Sequence, residues 1–326
     1  MNASRPRNIV TLGGGTGTFV VLSALRLLSD VALTAIVSSA DDGGSTGHLR
    51  DAYGFLPAGD ARQALVALAE ETEVLRKLFA YRFDKGNVAG HNLGNLFLTA
   101  LTDLLGSDAL ALAEASKLLR VKGTVLQASD EPAVLVAEFA DGTVITGEAA
   151  IDERVPGRAP IAGVSYAMPV ALSAPAAAAI AAADAIVLGP GDLYTSTAAA
   201  LLAEGTREAL AGSRATLVYV CNLFTKAGQT DGMTVQQHCA AIARYAGRMP
   251  DRILINTATF SADVLARYGA EGEYPVADDL PEAPSILRAD LASVHMVPPL
   301  PNDPVPRSLV RHDSGKLKEA LAALLA

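Results

Sequence analysis

Short β-branched runs alternate with alanine- and leucine-rich runs along most of the chain. Arg7-Asn8-Ile9-Val10-Thr11-Leu12 has the near-continuous apolar character of a buried strand. Residues 19–28 carry apolar positions at helical spacing, and residues 31–38 return to strand character. Later strands are expected at residues 185–188, 216–220 and 252–255, each separated from the next by a helix-like segment. Such alternation predicts βαβ units and a mainly parallel sheet flanked by helices. The α/β rhythm breaks once. From Gly123 to Glu148 polar and apolar residues alternate, and Asp141-Gly142, a hairpin signal, lies between two β-rich runs. A β-hairpin insertion is therefore expected over about residues 123–165, too small to bury a core of its own. Residues 280–306 are proline-rich and should wrap the surface before a last helix over 315–325.

Length and composition narrow this reading. The 326 residues allow one large α/β domain or two ordinary ones, and no internal repeat is visible. A single Rossmann-like domain over 1–326 is expected. Half of the residues are hydrophobic and 19% charged, which excludes a disordered chain. With no tryptophan, the core must be mainly aliphatic. A net charge of −9 argues against a general nucleic-acid binder, which needs positive charge to displace counterions. The apolar tract 167–188 is broken by Pro169, Pro175 and Asp184, so it reads as a helix feeding a strand, not a membrane span. The apolar run at 9–12 is too short for a signal peptide. Cys221 and Cys239 make no disulfide framework or zinc spacing. A cytoplasmic protein is expected.

The candidate chemistry gathers where strands end. Gly13-Gly14-Gly15-Thr16-Gly17-Thr18 joins a strand to a helix. Its glycines allow close backbone approach, and the helix start favours phosphate. A tight turn with Thr18 as N-cap is the plainer alternative. Asp41 and Asp42 end the second strand, where carboxylates can accept from ribose hydroxyls or hold Mg²⁺ beside a diphosphate. They could equally decorate a turn. Arg50 and Arg62 are weaker ligand candidates, and Asp60 with Gln63 fits a capping box. His91, Asn92 and Asn95 sit before another helix, where Asn92 reads evenly as ligand or cap. Gly189 and Gly191 form a second strand–glycine loop–helix junction. Asn222 follows a further strand, and Arg311-His312-Asp313 precedes the last helix, which Asp313 could cap.

Taken together, these stretches resemble the YvcK/CofD family, and its YvcK branch in particular. The matching motifs are GGGTGT (13–18), ADDGGSTGHLR (40–50), LPAGDARQ (56–63), GHNLGNL (90–96), LGPGDLYTS (188–196), CN (221–222), TDG (230–232) and RHD (311–313). They run nearly the whole chain in the family's order. Ala58 departs from the usual LPPGD, and Ser39-Ala40 stands where Val-Ala is common. The resemblance implies a Rossmann-like fold that binds a uridine diphosphate sugar, notably UDP-N-acetylglucosamine. It implies a regulator of gluconeogenic growth, cell-wall precursor supply and cell shape, acting through a partner protein and as a homo-oligomer. On this reading Gly13, Gly14, Gly15, Thr16 and Gly17 hold the diphosphate, Asp41 and Asp42 the ribose, and Asn222 and Arg311 the sugar or remaining phosphate charge. Asn92, Gly189 and Gly191 complete the ligand site.

The CofD branch implies instead a transferase that moves 2-phospholactate onto a deazaflavin, with Asp41 and Asp42 holding a divalent metal. The absence of Trp as a platform for a deazaflavin ring favours the first reading. An NAD-like nucleotide as ligand of a dehydrogenase is weaker, because the glycine spacing is irregular.

Overall fold

The computed structural model describes residues 5–70, 73–294 and 308–325. Its strands are β1 (Arg7–Leu12), β2 (Val31–Val37), β3 (Thr124–Gln127), β4 (Leu135–Phe139), β5 (Val144–Thr146), β6 (Ile161–Tyr166), β7 (Ala185–Leu188), β8 (Thr216–Val220), β9 (Arg252–Asn256) and β10 (Ile286–Ala289). Seven form a parallel sheet in the order β10-β9-β8-β7-β1-β2-β3, and three form an antiparallel sheet in the order β5-β4-β6.

Helix α1 (Gly15–Leu25) crosses from β1 to β2. Between β2 and β3 lie α2 (Gly44–Tyr53), α3 (Gly59–Leu68), α4 (Glu73–Ala80), α5 (Leu93–Leu105) and α6 (Asp108–Leu118). A short α7 (Glu148–Asp152) follows β5, and α8 (Ala174–Ala182) leads into β7. The second half of the sheet is crossed by α9 (Thr206–Gly212), α10 (Val235–Ala246) and α11 (Ala262–Ala270), and α12 (Ser314–Leu325) comes last. No described helix is long and apolar enough to cross a membrane.

Side chains alternate across the main sheet, so both faces need cover. On β1, Ile9 joins a cluster with α1, α3 and α12, while Val10 and Leu12 join one with α8, α9 and α10. Ala185 and Val187 of β7 go with the first cluster, and Ile186 and Leu188 with the second. Burial on both faces explains why these strands read as continuous apolar runs. Each fully buried Leu or Ile contributes about 1.5–3 kcal/mol relative to exposure. The small sheet packs on the second layer through Leu135, Ala137, Phe139 and Ile161.

Two features depart from the expectation. β3, which the alternation beginning at Gly123 assigns to the insertion, pairs in parallel with β2 and edges the main sheet. Its exposed–buried alternation is that of an edge strand, which periodicity alone cannot tell from a hairpin strand. The hairpin itself forms, with β4 and β5 antiparallel about Asp141-Gly142, and β6 adds a third strand on the far side of β4. β10 lies in the proline-rich stretch, where no strand was expected; residues 295–306 of that stretch fall outside the described part.

Strand order fixes where a site can form. The chain moves outward from β1 through β2 to β3, then returns to β7 on the other side of β1 and moves outward again. β1 and β7 therefore flank the topological switch point, and the crevice beyond their carboxyl ends is where open α/β sheets bind ligands. Both glycine loops begin there.

Candidate functional site

The loops after β1 and β7 are packed against each other. A Cβ on Gly17 would lie 2.4 Å from the Pro190 carbonyl oxygen, so only glycine lets α1 approach the second loop. Gly13 and Gly189 flank the buried Thr18, whose Oγ1 would lie 2.6 and 3.1 Å from Cβ atoms added there. Thr18 is thus a packing residue inside α1, not its cap; the N-cap is Gly14, with no side-chain bond. After Gly191 the chain makes one π-helical turn, in which Ser196 and Thr197 N–H both donate to the Asp192 carbonyl at 2.9 Å.

Over these loops lies a cavity of about 720 Å³. Its wall takes Gly14, Gly15, Thr16 and Gly17 from the first loop and Pro190, Gly191 and Asp192 from the second. Asp41 to Thr46, the start of α3, residues of α7, the segment 222–226 and Arg311-His312 close it, Asp42 excepted.

The wall is strongly charged, and burial decides which charges persist. Asp60 sits in the first turn of α3, and its Oδ1 accepts from the Gly15 N–H at 2.7 Å. Burial, with Asp41 adding repulsion, pushes its carboxyl up to about 7. Asp41 accepts from Gly43 N–H at 3.0 Å and is likewise raised by burial. Glu148 of α7 is raised well above its ordinary value by burial, then by Asp41 and Asp152.

At the other end Lys226 bridges Asp152 of α7 and Asp192 of the second loop, 2.8 Å from the latter. Burial opposes ionisation of Asp192, but Lys226, aided by the Asp152 hydrogen bond and by Arg154, outweighs it and holds the carboxyl below its usual range. Asp152 is pushed up to about 6 by burial and by Asp192, against the pull of Lys226. Its Oδ1 also accepts from Thr195 Oγ1 at 2.9 Å and from Gln229 Nε2 at 3.2 Å. Arg62 is buried in the same wall and donates from Nε to Asn95 Oδ1 at 2.8 Å.

Of the residues singled out in the sequence, Gly14, Gly15, Thr16, Gly17, Asp41, Gly191, Asn222 and Arg311 line the cavity. Asn222 also pins the second loop, its Nδ2 donating to the Gly191 carbonyl at 2.9 Å. Four of the residues expected at the ligand do not line it, and nor do the weaker candidates Arg50 and His91. Gly13 and Gly189 pack around Thr18, as above. Asn92 is the N-cap of α5, its Oδ1 accepting from Asn95 N–H at 3.3 Å, so the cap reading prevails. Asp42 accepts from Glu148 N–H at 3.1 Å and Ala149 N–H at 2.8 Å, which commits it to capping α7.

An Asp41–Asp42 metal pair is consequently not assembled. Among the described residues no group of three or more His, Cys, Asp and Glu is placed to hold an ion. The divalent metal implied by the transferase reading does not fit this pair.

Asp60, Asp152, Asp192 and Lys226 escaped the sequence reading. Asp60 was expected to cap α3, but the helix starts at Gly59 behind an Ala58 N-cap with no side-chain bond, which frees the carboxylate to reach Gly15. Asp192 lies within the quoted second-loop motif, and Lys226 four residues beyond Asn222. Nothing in the sequence marks Asp152, whose partners come from two distant loops.

The comparisons with known proteins agree with this architecture. The family model described as 2-phospho-L-lactate transferase CofD matches residues 9–296. A gluconeogenesis factor of Halalkalibacterium halodurans is 39% identical over 319 residues, covering 97% of this chain and 96% of that protein. The gluconeogenesis factor of Bacillus subtilis is 36% identical over 326 residues, covering 97% and 98% respectively. A crystal structure of a UPF0052 family member from Bacillus halodurans superposes with a TM-score of 0.88 at 36% identity, covering 98% of this chain and all of that one. With a family model matched over residues 9–296, relatives 36–39% identical over nearly their full length and a shared fold, this chain belongs to the CofD/YvcK family.

Proposed function

We propose that the protein is a binding regulator that takes a nucleotide sugar, UDP-N-acetylglucosamine, in the switch-point cavity. The observation that carries this reading is the pairing of two strand–glycine loop–helix junctions over one cavity that also holds Asn222 and Arg311. Helix starts and Arg311 suit the diphosphate. Asp41, and no longer Asp42, is the carboxylate positioned for ribose hydroxyls. The kinship with gluconeogenesis factors supports a role in gluconeogenic growth, with cell-wall precursor supply and cell shape as its outputs. We place this activity in the cytoplasm, in a single Rossmann-like domain that works as a homo-oligomer through a partner protein.

The CofD family model favours one alternative, a 2-phospholactate transferase acting on a deazaflavin. One experiment separates the two. The protein is titrated with UDP-N-acetylglucosamine by calorimetry, with and without Mg²⁺, while the mixture is analysed for products. Binding without turnover is expected. Multiple turnover, or a deazaflavin precursor released from the purified protein in place of a UDP-sugar, overturns the regulator reading.

A further inference from the structure

Helix α7 ends at Asp152, and the chain leaves it through Glu153 to Arg154. Both flanks of Arg154 are anchored. Asp152 is bonded by Lys226 and by Thr195 Oγ1. Val155 packs on Gly228, where an added Cβ would lie 2.9 Å from the Val155 carbonyl oxygen. The Arg154 side chain thus has a fixed origin, and it forms part of the cavity wall.

Its partner is equally fixed. Nε donates to Glu273 Oε1 at 2.7 Å. Glu273 N–H donates to the Tyr268 carbonyl at 2.9 Å. The next residue is tied to the cavity segment 222–226: Thr225 N–H donates to the Tyr274 carbonyl at 2.7 Å, and Tyr274 N–H to Thr225 Oγ1 at 3.0 Å. The Glu273 side chain is only 4% exposed, whereas that of Arg154 keeps 20%. Burial opposes the guanidinium charge, but Glu273, with Glu271 and Asp192 adding to it, outweighs burial.

An arginine committed to a carboxylate commonly presents two parallel N–H groups. Here the bond is single and falls on Nε, and Glu271 also comes nearest at Nε, 3.5 Å away. Nη1 and Nη2 donate to no described residue, and neither is a buried atom without a partner, so both stay accessible. The carboxylate therefore grips the inner edge of the guanidinium and leaves its outer fork open. That fork matches a phosphate or carboxylate in shape and charge.

We propose that Arg154 is a binding residue whose Nη1 and Nη2 take an oxyanion of the ligand, namely a phosphate of the diphosphate, with Glu273 as its positioning residue. The inference rests on the nucleotide-sugar reading and deepens it, adding a second guanidinium to Arg311. Asp192 also acts on Arg154, but Lys226 stands 2.8 Å from that carboxylate and meets its charge. An incoming phosphate consequently finds a cation whose inner edge alone is occupied.

Two variants separate a ligand from a mere counter-ion. Arg154→Gln removes the fork and leaves Glu273 without its cation. Arg154→Gln combined with Glu273→Gln removes both charges and leaves none unpaired. Affinities for UDP-N-acetylglucosamine and for inorganic pyrophosphate are measured by calorimetry on wild type and both variants. A loss of about tenfold or more is expected for both ligands in both variants, the size of a hydrogen bond to a charged group. In the wild type, modification of Arg154 by phenylglyoxal, followed by peptide mass spectrometry, should be slowed by saturating pyrophosphate.

Wild-type affinity in the double variant makes Arg154 only the counter-ion of Glu273 and overturns the inference. So does a loss confined to UDP-N-acetylglucosamine, which would place Arg154 away from the phosphates. Modification of Arg154 that pyrophosphate does not slow overturns it as well, whether or not the variants fold. If the wild type binds pyrophosphate through Arg154 but no UDP-N-acetylglucosamine, the sugar reading fails and the oxyanion seat stands. Binding of neither removes both.

Discussion

The two glycine loops share a design and differ in the charge state of the carboxyl group folded against them. Each follows a central parallel strand, opens a helix and faces the same cavity. At the first, the carboxylate against the loop is Asp60, supplied by α3 and seated on the Gly15 N–H without a lysine beside it; burial holds its proton up to about 7. At the second, the carboxylate is the loop's own Asp192, and Lys226 keeps it ionised. A strand–glycine–helix motif therefore announces close backbone approach and says nothing about local charge. Charge depends on which distant side chain is folded against the loop.

The largest test of that contrast removes the cation from the second loop. Lys226→Met keeps apolar bulk and leaves Asp152 and Asp192 facing each other. Breaking a buried pair costs up to about 5 kcal/mol, but the Asp192 side chain is 40% exposed, so a loss of about 3 kcal/mol is expected in denaturant unfolding. A loss under about 1 kcal/mol would show that solvent, not Lys226, stabilises the second loop.

Next is the contact between the loops. In Gly17→Ala the new methyl would meet the Pro190 carbonyl at 2.4 Å, a backbone atom with little room to yield. Overpacking of this kind costs about 2 kcal/mol, read as a lowered urea midpoint with unchanged m-value. An unchanged midpoint would mean that the loops separate freely.

The charge state of the first loop is open to titration. Asp60 holds its proton up to about 7 in the folded protein and to about 3.9 when unfolded. The folded state thus binds the proton more tightly, and this contribution to stability is lost as pH rises from about 4 to about 7. Asp60 is half-buried, so the part lost is on the order of 1.5 kcal/mol, well short of the full shift. Asp60→Asn should flatten the stability–pH curve across that window. Asp152, raised to about 6, leaves a residual slope. A curve identical to wild type would place the titration elsewhere.

The smallest effect separates backbone conformation from contact. Gly15 has φ of +67°, with only Ser196 Oγ, at 3.6 Å, near an added Cβ. Gly15→Ala should cost about 1 kcal/mol, from the left-handed conformation alone. A cost equal to that of Gly17→Ala would erase the distinction between the two glycines.

These contrasts also mark what a sequence can disclose. The central strands were legible because burial on both faces leaves them uniformly apolar, and the Asp141-Gly142 turn because its residues are chosen by local backbone geometry. β10 was not, since Ile286-Leu287-Arg288-Ala289 is too short and mixed to stand out among prolines. In the site, Gly15, Asp41 and Asn222 could be placed at the cavity because strand ends converge at the switch point, and Arg311 because the RHD stretch matches the family's motif. Asp42 and Asn92 could not be sorted in advance. A carboxylate or amide next to a helix start serves a backbone or a ligand with the same atoms, and only the position of α7 or α5 decides. Asp60, Asp152 and Lys226 were hidden because their partners lie 45, 74 and 34 residues away along the chain.

Helix α7 spans five residues, fewer than a helix can sustain alone in water. Asp42 grips its first turn from behind the wall of the crevice, and Lys226 its last residue from within that wall. It is helical by suspension, a short rung hung between two posts. The small sheet, whose strand β5 leads straight into this helix, is thereby moored to the rim of the crevice at two points.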